Sequence, residues 1–245
     1  MSILKRVAGR IASSIPGNLA VRLNRQPIVT ITFDDCPRSS LLEGAEILEA
    51  KQAEATYFVA SSFLNQANML HSQDLVTLVA KGHEIGCHTY SHVPVWDFSA
   101  ADLRADCRKN ASTISDVCGV NPMVSFSYPF GRVSMEAKLE IARRFGAARG
   151  VKEGLNHGVV DLAQLKACRI FHGDYATARF RQLVADCKKN SAWLVFYTHD
   201  ICAEPSEWGC KPGEFREVLD IVADAGIEIL TMRAAVGRSS FRKPG

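Results

Sequence analysis

Ile28-Val29-Thr30-Ile31-Thr32-Phe33-Asp34-Asp35 is a β-rich run that ends in two adjacent carboxylates. Its branched and aromatic residues favour an extended chain. Downstream of it the pattern alternates. Residues 41–51 read as a helix, 55–60 as a strand, 73–80 as a helix stopped by Gly82, and 83–88 as a third, weaker strand. Ser99 is placed to cap a long helix over 99–117, and Ser134 to cap another over 134–145. Strands are expected at 124–128, 193–197 and 227–231, with a helix over 214–225 that ends at Gly226. Strands alternating with helices argue for a parallel sheet covered by helices. Six or seven such units fit an α/β fold of the closed or distorted (β/α) barrel type better than an open sheet.

The chain has 245 residues, of which 47% are hydrophobic and 22% charged. That is ordinary globular usage and enough chain for one full core. It excludes a disordered chain, a collagen and a coiled coil. No run approaches the roughly 18 apolar residues of a membrane-spanning helix. With 29 basic and 26 acidic residues the formal charge is +3, too near balance to argue for a nucleic-acid partner. Eight cysteines are dispersed without C-x-x-C pairs or zinc-finger spacing, so they read as small buried residues of a reducing compartment. Cys202 and Cys210, which flank a short loop, are the best placed if any two were to pair.

Residues 27–237 form the expected domain, residues 1–26 a basic amphipathic extension, and residues 238–245 a loose polar tail. The extension carries Lys5, Arg6, Arg10, Arg22 and Arg25, with Ile3, Leu4, Val7, Ile11 and Ile15 at near-helical spacing. Arg10, Ser13 and Ser14 interrupt every candidate signal-peptide core, so no cleaved signal is expected. Such a segment can pack on its own domain or lie on an anionic membrane surface.

In a (β/α) barrel, chemistry sits at the carboxyl ends of the strands, and four polar clusters fall there. Thr32-Phe33-Asp34-Asp35 is the first. Two adjacent carboxylates after an apolar run could bind a metal or divide the work of base and ligand; a capped turn would look the same. His88-Thr-Tyr-Ser-His92 is the second: two histidines four apart share one face of a helical turn, where both rings can reach one ion, or solvent. With the aspartates they make a His-His-Asp set with an open coordination position, the layout of a catalytic zinc site. Tyr128-Pro129-Phe130-Gly131 is a tight turn that can aim backbone N–H groups inward, or an ordinary connection. His199-Asp200 follows the strongest strand, where a histidine can serve as general acid.

These clusters, in this order over residues 27–235, resemble the polysaccharide deacetylase family, also called the NodB-homology or family-four carbohydrate esterases. Thr32-Phe33-Asp34-Asp35 matches its first motif and His88-Thr-x-x-His92 its second, while the turn at Tyr128 looks like the third and the strand ending at His199 the fifth. The resemblance implies a distorted (β/α) barrel. It implies one divalent ion on Asp35, His88 and His92, zinc first, with cobalt or nickel able to substitute. It makes Asp34 the general base, the backbone N–H of Phe130 an oxyanion donor, and His199 the acid that protonates the leaving amine.

Two departures from that family stand out. The third motif usually begins with an arginine that orients the catalytic aspartate; Ser127 holds its place, and Arg169 is the candidate to supply the guanidinium. The fourth motif is not evident, and Asp161 or Asp174 could supply its carboxylate beside His199. Trp96 and Trp208 could stack on a sugar ring or pack at the rim. Cys36 adjoins the metal-binding aspartate, and His71, His83, His157 and His172 read as structural. The expected function is metal-dependent removal of N-acetyl groups from an amino sugar in a glycan or glycan precursor. The alternatives are an O-acetyl esterase or other amide hydrolase at the same site, or a glycan-binding module with an impaired site. The expected setting is cytoplasmic surface-polysaccharide biosynthesis, with possible peripheral membrane contact through the basic segment.

Overall fold

The computed structural model describes residues 3–23, 26–119 and 123–243. Arg25 and the last two residues of the tail lie outside them, as do the side chains of Ile3, Leu4 and Arg6. The chain opens with helix α1 (Ile3–Ser14) and strands β1 (Leu19–Arg22) and β2 (Ile28–Asp34). A π-helical segment, Ser40–Ala45, runs into the short helix α2 (Glu46–Glu49), and then come β3 (Thr56–Val59), α3 (Ser72–Ala80) and β4 (Glu84–Cys87). The middle holds α4 (Ala100–Cys118), β5 (Ser125–Ser127), α5 (Met135–Arg144), β6 (Ala147–Arg149), β7 (Val159–Asp161) and β8 (Cys168–Arg169). Helix α6 (Thr177–Lys189), β9 (Trp193–Thr198), α7 (Pro212–Asp224), β10 (Glu228–Ile229), α8 (Met232–Ser239) and β11 (Phe241–Arg242) complete it.

The main sheet has the order β6-β5-β4-β3-β2-β9-β8, with β10 added beside β2, and every pairing in it is parallel. A parallel bridge between Arg149 and Leu165 joins the β6 end to the segment that leads into β8, so the sheet curls almost to closure. This is the expected distorted barrel. Ser99 and Ser134 cap their helices as their sequence positions require, each accepting a hydrogen bond from a first-turn N–H.

Side-chain alternation along the strands decides what faces the barrel interior. Val29, Ile31 and Phe33 of β2 pack outward with helix residues such as Leu75, Phe215 and Val218. Ile28 belongs instead with Trp193, Val195, Tyr197, Ala147 and Leu165 on the inner side. The same parity turns Asp34, Ser127 and Arg149 inward at the carboxyl ends of β2, β5 and β6.

The segments flanking the barrel are tied to it. Strand β1 pairs antiparallel with β7 and with β11, so the tail, expected to be loose, is held at Phe241–Arg242. Buried Arg22 donates to Ser239 Oγ at 3.2 Å and to the Gln26 carbonyl at 2.7 Å. Lys138, 1% exposed, donates to the carbonyls of Ala12 and Ile15 and pairs with Asp161 at 2.7 Å. It fixes the carboxyl end of α1, where a cation also meets the negative end of the helix dipole.

His83 behaves as a core group. It is buried, its Nδ1 accepts the Ala55 N–H at 3.1 Å, and burial, helped by Lys81, pushes its pKa down to about 4. Between pH 6.5 and 4 the unfolded chain therefore binds a proton that the folded one refuses, so stability falls as pH drops through that window. The loss is expected to reach about 3 kcal/mol. His83→Gln, which keeps an acceptor for Ala55, should flatten it. Denaturant titrations at pH 7 and pH 4.5 check this; equal acid losses in both proteins would refute it.

Candidate active site

Asp35, His88 and His92 each bring one ligand atom into a group whose atoms lie within 4.8 Å of one another. Both Nε2 atoms point at Asp35 Oδ1, at 3.3 Å from His88 and 2.8 Å from His92. His88 Nδ1 lies 2.8 Å from the Ser127 carbonyl, so that nitrogen carries the proton and Nε2 is left with its lone pair turned to the site. Asp35 Oδ1 is buried and receives no hydrogen bond of ordinary geometry. Two lone pairs converging on an orphaned carboxylate oxygen is unfavourable unless a cation lies among them, so the donor set fits a metal. Burial raises the Asp35 pKa, but His88 and His92 in their protonated forms outweigh it and hold the carboxyl well below the usual range.

The backbone is strained around this cluster. Asp35, Cys36, Thr89, His92 and Phe130 all have φ between 54° and 63°, a region that non-glycine residues seldom occupy. Such strain concentrates at functional sites, where the surroundings hold it in place. The Asp35 turn swings its carboxylate away from the β2 axis. The His92 turn, fastened by the Thr89 hydroxyl at 3.0 Å, brings its ring back over His88, with ring centroids 4.9 Å apart.

Asp34, 4% exposed, lies beside the cluster. Its partner is Arg149, whose guanidinium donates to Asp34 Oδ2 and to Ser127 Oγ and is fully buried. The Arg149 guanidinium also lies 4.6 Å over the Tyr197 ring. Burial works to raise the Asp34 pKa, yet the Arg149 charge, with His88 and His199, holds it below the usual carboxylate range. Arg169 does not reach Asp34. It is 40% exposed and pairs with Asp174 at 2.5 Å and Glu153 at 4.0 Å. The orienting guanidinium therefore comes from β6, next to the strand that carries Ser127. Sequence reading missed it because Ala147-Ala-Arg149 is too short and too poor in β-formers to announce a strand.

His199 stands on the other side of Asp35, with its Nε2 3.9 Å from Asp35 Oδ2. Burial lowers its pKa, against the opposing pull of Asp34 and Asp35. Its Nδ1 faces the Trp208 carbonyl at 3.2 Å. Neither carboxylate proposed to tune it is there: Asp161 accepts from Gly17, Asn18 and Lys138, and Asp174 holds Arg169. Phe130 sits at the crest of the Pro129–Gly131 turn with its ring 4.7 Å from His92. Cys36 is buried with its thiol 3.4 Å from the Phe58 carbonyl, outside the ligand group. All eight cysteines are free, Cys202 and Cys210 included.

The site opens into a cavity of about 360 Å³, walled by Phe130, Arg132, Val151, Phe171, Tyr197 and Trp208. Beyond Asp35 and His199 it runs into a groove of about 970 Å³, for which Trp208, 51% exposed, forms part of the rim. On the opposite side Arg132 stacks over Trp96 at 4.9 Å.

Comparison with known proteins places the chain in a family and supports its fold. The sequence profile described as polysaccharide deacetylase matches residues 22–149, just over half of the chain. A bifunctional xylanase/deacetylase of Pseudobutyrivibrio xylanivorans is 27% identical over 122 residues, 49% of this chain and 19% of that protein. A chitin deacetylase of a Pestalotiopsis species is 27% identical over 112 residues, 45% of this chain and 37% of that protein. Each match thus spans well under half of the relative's length. In fold, the chain is similar to a family 4 acetyl xylan esterase of Clostridium thermocellum described in complex with a cobalt ion, with a TM-score of 0.59 and 18% identity over 84% of this chain and 89% of that one.

Proposed function

Since this chain belongs to the polysaccharide deacetylase family, we propose that it removes N-acetyl groups from an amino sugar in a glycan or glycan precursor, using a divalent ion on Asp35, His88 and His92. The observation that carries this reading is the orphaned Asp35 Oδ1 faced by two imidazole Nε2 atoms, with an ionised Asp34 beside it. Two imidazoles and one carboxylate suit zinc, and the same donors accept cobalt or nickel. When bound, the ion lowers the pKa of a water and polarises the acetyl carbonyl.

The chain's own residues supply the rest. Asp34, kept ionised by Arg149, takes the proton of the attacking water. The turned backbone at Phe130 presents its N–H to the developing oxyanion. His199, whose Nδ1–H faces the Trp208 carbonyl, acts in its imidazolium form and gives the Nε2 proton to the leaving nitrogen, which departs as a neutral amine; the proton that Asp34 takes from the water balances it. Val151, Phe171 and Trp208 make an apolar wall that limits water around the acetyl group.

Acetate release from an N-acetylated chitooligosaccharide tests the reading. It should stop on complete chelation and return with added zinc; release that survives chelation would overturn it. O-acetylated xylan is the parallel substrate, because similar proteins include both a chitin deacetylase and an acetyl xylan esterase. Turnover of the xylan alone would favour the esterase alternative. A binding module with an impaired site was suggested by the missing third-motif arginine, and Arg149 removes that reason.

The ligand assignment has its own measurement. Replacing both His88 and His92 by Ala leaves one carboxylate, and affinity for zinc should fall by more than the 10–100-fold loss typical of altering a supporting residue. Metal analysis after desalting should find about one ion per wild-type chain and none in the double variant. One tightly held ion in that variant would refute the assignment.

We place the enzyme in the cytoplasm, against the inner face of a membrane, in surface-polysaccharide biosynthesis. Support comes from α1, where Val7 and Ile11 are exposed on consecutive turns with Ile15 exposed just past its end, and from the absence of any acidic residue before Asp34. Basic residues on an apolar stripe favour anionic lipid surfaces. The eight free thiols suit a reducing compartment. Among the described residues no helix is long and apolar enough to cross a membrane. Binding to anionic vesicles should weaken several-fold between 0.05 and about 0.5 M salt. Recovery of the protein from the periplasm or medium would refute the placement.

A further inference from the structure

Helix α1 forms one wall of a second cleft, of about 620 Å³, whose opposite wall is the turn that follows Phe130. Gly131, Arg132 and Val151 line both this cleft and the catalytic cavity, so the two are continuous. Three of its lining side chains are cations, Arg10, Arg132 and Lys152, and none is acidic. The 970 Å³ groove on the other side of the site differs, since Asp35, Glu43 and Asp200 line it against one guanidinium, that of Arg38. The space around the catalytic pocket is therefore electrostatically polar: basic toward α1 and acidic away from it.

We propose that this cleft is a subsite for a phosphate or diphosphate group carried by the amino sugar that is deacetylated. Arginine and lysine together bind phosphoryl oxygens, arginine through paired N–H donors and lysine as a compact charge. Ser13 adds a hydroxyl to the same walls, held by the Gln164 amide that donates to its Oγ at 3.3 Å, while the neighbouring Ser14 hydroxyl is committed to the Arg10 carbonyl. The cleft is held in shape. Arg132 is stacked between Trp96 and Phe130, which fixes its plane at the junction of the two cavities. Gly9 brings α1 so close to Trp96 that a Cβ there would lie 3.0 Å from its ring. The buried Lys138 anchors the carboxyl end of α1. A sugar with its acetamido group at Asp35 and His92 would direct an anionic substituent past Arg132 into the cleft. The ligand class is thus an activated sugar, linked through phosphate to a nucleotide or to a lipid. The inference rests on the deacetylase reading for what the phosphate is attached to, and on the cleft alone for anion binding.

Binding to the metal-free full chain isolates the cleft from phosphate–metal contacts. Titrations with N-acetylglucosamine, its 1-phosphate and inorganic pyrophosphate should show the phosphorylated sugar binding at least about tenfold tighter than the sugar, with the advantage shrinking as salt rises. Arg10→Glu combined with Lys152→Glu should erase that advantage, and Lys152→Gln alone should reduce it by about threefold. Zinc stoichiometry and circular dichroism of the variants check that the fold is kept, and Lys152→Gln serves if the double variant does not fold. Equal affinity for sugar and sugar phosphate, or undiminished preference in the variants, would overturn the proposal. A uridine-diphosphate sugar in solution and a polyprenyl-diphosphate sugar in neutral vesicles separate the two sources; variant-sensitive binding of either supports the cleft. If the phosphosugar binds as expected but the zinc-loaded enzyme releases no acetate from any substrate, the deacetylase reading fails and the anion site stands. Acetate release from neutral chitooligosaccharide with no preference for phosphate gives the reverse.

Discussion

Arg149→Met is expected to cost about 3–5 kcal/mol of stability and to lower kcat/KM by at least about a hundredfold. The reasoning starts from burial. Arg149 is fully covered and Asp34 is 4% exposed, so each neutralises a charge that water cannot reach. Removing one partner leaves the other as an unpaired buried ion, which is much worse than removing both. The double replacement Arg149→Met with Asp34→Asn should therefore recover much of the stability lost in the single variant. Activity should follow protonation. With Arg149 present, the Asp34 carboxyl is held below its usual range; without it, burial dominates and the pKa rises. The acid limb of the pH–rate profile should then move to higher pH. Arg149→Lys should restore only part of the rate: Nη2 alone serves both Asp34 and Ser127, which an ammonium can imitate, but the Nη1 bond to the Gly150 carbonyl and the planar stacking over Tyr197 would be lost. Arg169→Met, on an exposed ion pair, should change stability by no more than about 0.5 kcal/mol. A large loss of activity in Arg169→Met with little in Arg149→Met would reverse the assignment.

The contrast between these two arginines shows what was legible in the sequence. The strands that carry Asp34 and His199 are long runs of branched and aromatic residues, and their carboxyl ends could be read directly. The His88–His92 pair was visible from its spacing, but not by way of the helical turn expected there: positive φ at Thr89 and His92 folds a loop that brings the two rings together. Arg149 was not, because β6 has three residues and two of them are alanine. Its place depends on register, Ser127 lying beside Arg149 across β5 and β6. No local pattern encodes that pairing. The rule that did apply, that polar residues at strand ends carry chemistry, needed the strand first. The carboxylate sought for His199 failed for a related reason: a backbone carbonyl at Trp208 does that work, and carbonyls leave no trace in a sequence. The small sheet of β1, β7 and β11 was likewise hidden, since it joins both ends of the chain through contacts more than a hundred residues apart.

Asp34→Asn should lower kcat by about a thousandfold while the chain still holds one ion per site. The amide keeps the size of the carboxylate and can still accept from Arg149, but it cannot take a proton from water. Asp35, His88 and His92 are untouched, so metal content separates a lost base from a lost ligand. KM should move little, because a proton acceptor contributes in the transition state rather than to substrate binding. Asp34 and Arg149 act as one unit, the second residue keeping the first ionised. Their effects on rate should therefore not add: the double variant with Arg149→Met is expected to be no slower than Asp34→Asn alone. That relation holds only if Arg149 works through Asp34. A double variant another hundredfold slower would mean that Arg149 acts on the reaction independently, and Asp34→Asn turning over at the wild-type rate would remove it as the base.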